Sequence, residues 1–152
     1  MQVWSDAGFA RDIVASRRST SSSVHTWGEV AFASQCVKQP EPAASTNDAE
    51  ARSLFQATRP TLAYRSILGS LDTPQNQPTP THEDNEATIA QVLNDRLTPR
   101  VKHIDVIISW LNNQFGRERM APVTCPSELE KGDMNTKPHG GFRLQQKCLS
   151  II

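Results

Sequence analysis

The pattern of apolar and polar positions changes character along the chain. Residues 2–6 read as a short strand ending on a carboxylate, Asp6, and residues 7–20 as a polar loop. Residues 21–27 alternate, with Ser23, His25 and Trp27 on one face. Gly28 and Glu29 form a turn and residues 30–34 the next strand, so 21–36 is predicted to be a hairpin. The Gln39-Pro40-Glu41-Pro42 run marks a loop. Ser45 or Thr46 then caps a helix that carries Asp48 and Glu50 in its first turn. Pro60 is expected to kink or end that helix, and Leu62, Ile67, Leu68 and Leu71 to resume it. Residues 72–80 form a linker, 79–83 a fourth strand and 86–94 a helix. The clearest periodicity is Ile104, Ile107, Ile108, Leu111 and Phe115, one apolar face of an amphipathic helix that Gly116 can end. Residues 118–124 read as a last strand and 126–135 as a short helix. Trp4 and Trp27 read as core residues. The order β, β, β, α, β, α, α, β, α suits an α/β fold, a mixed sheet flanked by helices.

Composition narrows the function classes. The chain has 152 residues, one domain's worth, and 16 basic against 16 acidic side chains. The charges balance within each half too, 7 against 7 and then 9 against 9. This excludes a cationic nucleic-acid coat and a polybasic membrane anchor. No apolar run reaches the ~18 residues of a membrane span, and Asp6 and Arg11 stand where a signal peptide would be apolar. Cys36, Cys125 and Cys148 form no metal-binding spacing with each other or with the four His. The expectation is an intracellular protein with reduced thiols, not secreted and not bound to a membrane.

Four acids stand at element ends: Asp6, Glu50, Asp84 and Asp133. Gathered in one place they would repel each other unless cations neutralised them. A carboxylate-only site suits Mg²⁺ or Mn²⁺, and two such ions can clamp a phosphodiester for in-line displacement. Spacing alone favours reading the four as ordinary surface or capping acids.

The words around them form a consistent series. Val3-Trp4-Ser5-Asp6-Ala7 is similar to "YSDAD", Arg17-Arg18-Ser19-Thr20-Ser21 to "RRSTSG", and the 45–50 segment to "SSTEAEY". Residues 83–89 resemble "CDNQSAI", 102–106 "TKHIDIRYH", and 133–138 "ADILTKP". In this order and spacing the chain resembles the ribonuclease H domain of copia-type (Pseudoviridae) retrotransposon Pol polyproteins. The resemblance implies a ribonuclease H-like domain over residues 1–138, with a five-stranded mixed sheet; residues 139–152, with Gly140-Gly141 and a mixed end, have no counterpart in it and read as a disordered tail. It implies an endonuclease that hydrolyses the RNA strand of RNA–DNA hybrids with two Mg²⁺ or Mn²⁺ ions. Asp6 would bridge the ions, Glu50 and Asp84 hold the one on the leaving-group side, and Asp133 the one that activates water. The implied partners are the hybrid and the reverse transcriptase of the same polyprotein, in a cytoplasmic virus-like particle or the nucleus. Arg17, Arg18, Ser19 and Thr20 then read as phosphate or sugar contacts, or as a solvated loop. Lys102 and His103 read as phosphate contacts or as a solvated helix start.

The chain departs from the family pattern at Gly8-Phe9, Ser22, the segment between Phe32 and Gln39, Ala51 and Pro60. The alternative these departures leave open is a catalytically impaired or decayed fragment, at most a nucleic-acid-binding module. If the four acids form one metal-neutralised site, the rest of the chain sets twelve acids against sixteen bases, a mildly basic surface.

Overall fold

A computed structural model describes residues 1–10, 16–94, 102–126 and 131–132. Five strands form one sheet: β1 (Gln2–Gly8), β2 (Thr20–Trp27), β3 (Val30–Lys38), β4 (Thr79–Glu83) and β5 (Met120–Thr124). Their spatial order is β3-β2-β1-β4-β5. The first three pair antiparallel, whereas β4 runs parallel to both β1 and β5. The sheet is thus mixed, as expected. β1 and β3 are longer than predicted, because each continues its ladder with β2 as far as the pairs Gly8↔Thr20 and Thr20↔Lys38.

The β2–β3 hairpin closes through Gly28 and Glu29, with Gly28 at φ +59°, the left-handed conformation that a glycine-first two-residue turn requires. One register shift falls between His25 and Thr26, opposite Ala33 and Ala31, so Phe32 is the extra residue of a bulge. Trp27 is 42 % exposed at the hairpin end and is not a core residue, contrary to expectation, whereas Trp4 is buried.

Three helices follow from the patterning: α1 (Thr46–Ser70), α2 (Glu86–Asn94) and α3 (Lys102–Gly116). Pro60 does not end α1, which runs on for ten more residues. The cost of the missing amide is offset because buried residues lie on both sides of it, Leu54, Ala57 and Thr58 before and Thr61 after. α1 thereby packs on β1 and β2 before the proline, through Ser53, and on β2 after it, through Thr61 and Tyr64 at His25. The predicted face of α3 holds: Ile104, Ile108, Leu111 and Phe115 join Val3, Ala51, Leu54, Ala57, Val92 and Met120 in the core, with Ile107 at its edge. Phe55 of α1 meets Trp110 of α3 edge-on at 4.9 Å between centroids. Ala51, one of the departures from the family-like words, is fully buried in this core. The short helix expected over 126–135 and the tail over 139–152 fall largely or wholly outside the described residues.

Candidate active site

The site lies where β1, β4 and the start of α1 meet. Ser45 is the N-cap of α1: its Oγ accepts from the Asp48 amide at 3.1 Å, and Asp48 Oδ2 accepts from the Ala44 amide at 2.8 Å. Asp48 is also paired with Arg52, one turn on, at 2.7 Å. Glu50 is not in this first turn as expected, but at the start of the second. One turn further, Ser53 Oγ donates to the Asp6 carbonyl at 2.7 Å and lies 3.3 Å from that of Ser22. Ser53 therefore fixes α1 against β1 and β2 beside the carboxylates of Asp6 and Glu50.

Asp6, Glu50 and Asp84 converge, each offering a carboxylate oxygen within 4.8 Å of the others. Asp6 and Glu50 are buried and Asp84 is half-buried. The Ala7 amide donates to the Glu50 carboxylate, yet Glu50 Oε2 is buried with no hydrogen-bond partner. Burial, and then the charges of Glu83, Asp6 and Asp84, push the Glu50 carboxyl up to about 10. An orphaned carboxylate oxygen facing other carboxylates is a poor arrangement for a bare protein and a good one for a hard divalent cation. An all-oxygen donor set fits Mg²⁺ or Mn²⁺.

Around these acids the polar groups are tied to one another. Asn85 Oδ1 caps α2 by accepting from the Thr88 amide at 3.2 Å. Thr88 Oγ1 donates to Asn47 Oδ1 at 2.6 Å, and Asn47 Nδ2 donates to Gln91 Oε1. The start of α1, which carries Glu50, is thus joined to the helix that follows Asp84. On the opposite face of the sheet from Val3, Trp4 stacks on His82 at 4.5 Å, and Lys131 Nζ lies 4.4 Å from the centre of the Trp4 ring. The chain therefore returns to β1, two residues from Asp6, at Lys131.

Asp133 lies outside the described residues. The Arg17–Thr20 segment divides. Arg17 is exposed and adopts φ +50°. Arg18 turns back to Ser16 Oγ at 3.2 Å and to the Pro40 carbonyl at 3.4 Å. Ser19 is fully buried, with its Oγ taken by the Ala10 amide at 3.2 Å, so it has no surface to offer a nucleic acid. Thr20 opens β2. Lys102 and His103 form the first turn of α3, and their side chains lie outside the described set.

One residue at the site escaped the sequence reading. Glu83 is fully buried; its Oε2 accepts from Ser5 Oγ at 2.7 Å and its Oε1 from the Asn85 amide at 3.3 Å. Its signal in the sequence was weak, an acid at the last inward position of a short strand.

No family model matches the chain. Solved structures do. LC11-RNase H1, isolated from compost by a metagenomic approach, superposes with a TM-score of 0.61 at 14 % identity, over 86 % of this chain and 88 % of that one. The chain has the ribonuclease H fold. The same enzyme in complex with an RNA/DNA hybrid matches with a TM-score of 0.60 at 15 % identity, over 88 % and 91 % of the two chains. The N-terminal RNase H domain of a Mycobacterium tuberculosis protein, solved as a fusion with maltose-binding protein, gives 0.57 at 12 % identity, over 99 % and 96 %.

Proposed function

We propose that this ribonuclease H-fold chain is a metal-dependent endonuclease that hydrolyses the RNA strand of RNA–DNA hybrids. The observation that carries the reading is the convergence of Asp6, Glu50 and Asp84 around the orphaned Glu50 Oε2. The ribonuclease H fold of the chain and the hybrid bound by one of its structural neighbours support the choice of substrate.

Asp6, Glu50 and Asp84 would hold Mg²⁺ or Mn²⁺, two ions with Asp133 completing the set. Bound there, such ions supply Lewis-acid charge to the scissile phosphate and acidify a water nucleophile. The protein's own part is to gather the carboxylates in a buried place, where bound cations would favour their ionised form, and to hold them still. The Ala7 amide and Ser53 fix Glu50 and β1 relative to each other, and the Asn85 cap fixes the turn after Asp84. Exposed Arg17 stands available to the substrate backbone, and the 2′-OH groups in the shallow minor groove mark the strand to be cut. The retrotransposon words of the sequence support an origin in a copia-type Pol polyprotein, with its reverse transcriptase as partner and an intracellular setting.

The test is cleavage of end-labelled duplexes in Mn²⁺ or Mg²⁺. Cutting confined to the RNA of the hybrid, with RNA–RNA and DNA–DNA duplexes left intact, is expected. Equal cutting of all three, or of DNA–DNA alone, would contradict the substrate.

A further inference from the structure

We infer that Glu83 is a positioning residue, which acts through Ser5 and Asn85 to hold Asp6 and Asp84 at the separation a metal ion needs. The inference rests on the metal-centre reading above and adds a residue to it.

The backbone pairing of β1 with β4 is short. Its register pairs are Val3↔Thr81 and Trp4↔His82, and it stops before either strand reaches its acid. Two acids, Asp6 inside β1 and Asp84 just past the end of β4, thus stand side by side beyond the last β1–β4 register pair. Glu83 bridges that gap with its side chain. Its Oε2 takes the hydroxyl of Ser5, the residue before Asp6, at 2.7 Å. Its Oε1 takes the amide of Asn85, the residue after Asp84, at 3.3 Å. Its own carbonyl accepts from the Cys125 amide at 3.0 Å, which holds the end of β4 to the chain leaving β5. Ser5 and Glu83 are both fully buried, so water does not compete for this bond. A charge-assisted hydrogen bond in such a place is short and directional, and it replaces the missing rung.

The expense of the arrangement argues for a role. Glu83 adds a fourth acid to a neighbourhood that already holds Asp6, Glu50 and Asp84, and it is the largest of the charges acting on Glu50. A neutral residue would serve the fold better. Two variants separate the tie from the charge. Ser5→Ala removes the tie and keeps the charge. Glu83→Gln removes the charge and keeps an amide able to bond both Ser5 and Asn85.

Mn²⁺ titration calorimetry on the full chain, with melting curves as a check on folding, reads the difference. Ser5→Ala is expected to melt as a folded protein and to bind Mn²⁺ about tenfold more weakly, the low end of what loss of an outer-shell partner costs a metal site. Glu83→Gln is expected to lose less. Folded Ser5→Ala that binds Mn²⁺ within twofold of wild type would overturn the inference, as would a larger loss in Glu83→Gln than in Ser5→Ala. In either case, binding by wild type that Asp84→Asn abolishes would leave the metal centre standing. No saturable binding by wild type would overturn the metal centre itself, and this inference with it.

Discussion

Glu50 is 4 % exposed and stands among the charges of Glu83, Asp6 and Asp84, so its carboxyl is pushed up to about 10. Its folded-state pKa lies above its unfolded-state value. The stability it contributes to the metal-free fold is therefore full below pH 4.5 and is lost as pH rises toward 10. Glu50→Gln removes that loss while keeping an acceptor for the Ala7 amide. Without metal at pH 8 it is expected to melt above wild type, by about 2–4 °C for each kcal/mol recovered. Added Mn²⁺ should then raise the melting point of wild type and not that of the variant. A variant that melts below wild type without metal would contradict the assigned strain. His25 works in the opposite direction. It is buried among Thr61, Ala57, Phe32 and Tyr64, and burial lowers its pKa from 6.5 to about 4. The fold thus holds His25 neutral where the unfolded chain protonates it. The corresponding stability, about 3 kcal/mol, is complete above pH 6.5 and lost as pH falls toward 4. In the Glu50→Gln background, where the opposing trend is gone, the melting point is expected to fall across that window, and a flat profile would contradict it.

At the scale of the element, the period of the apolar pattern carried most of the information. The stripe on α3 and the Ser45 cap of α1 were legible because helix spacing and capping chemistry are local. Pro60 misled because its penalty is local but its compensation is not. The buried residues of α1 pack against β1, β2 and α3, and no short window of sequence contains those partners. Pro60→Ala restores an amide that can bond the Gln56 carbonyl. It is expected to stabilise the fold by about 1–3 kcal/mol in urea denaturation, and a destabilised variant would show that the proline fits a bend the core needs. Trp27 misled for a related reason: strand alternation assigns it a face, but the turn at Gly28 carries it past the end of the core.

Across the whole molecule, three of the four acids singled out in the sequence meet in space, though Asp6 is 44 residues from Glu50 and Glu50 is 34 from Asp84. That convergence was legible through the series of family-like words, since spacing alone left the acids indistinguishable from caps. Glu83 was not legible, because its role depends on which strand lies beside β4, a fact of sheet order. Ser19 shows the reverse error, a polar residue in a loop-like run that the β2 ladder carries inside. The balanced charge of the chain takes its meaning from this geometry: part of the acidity is gathered at one buried point and leaves the remaining surface the more basic. The central claim is that this point is a catalytic metal centre. The most direct measurement is cleavage of a labelled RNA–DNA hybrid in Mn²⁺ by wild type and by Asp84→Asn, both shown to be folded by their melting curves. The account predicts RNA cleavage by wild type and a loss of at least about 100-fold in the variant, the scale set by removing a metal ligand or its close support. Cleavage by Asp84→Asn at the wild-type rate, or none by a folded wild type, would contradict it.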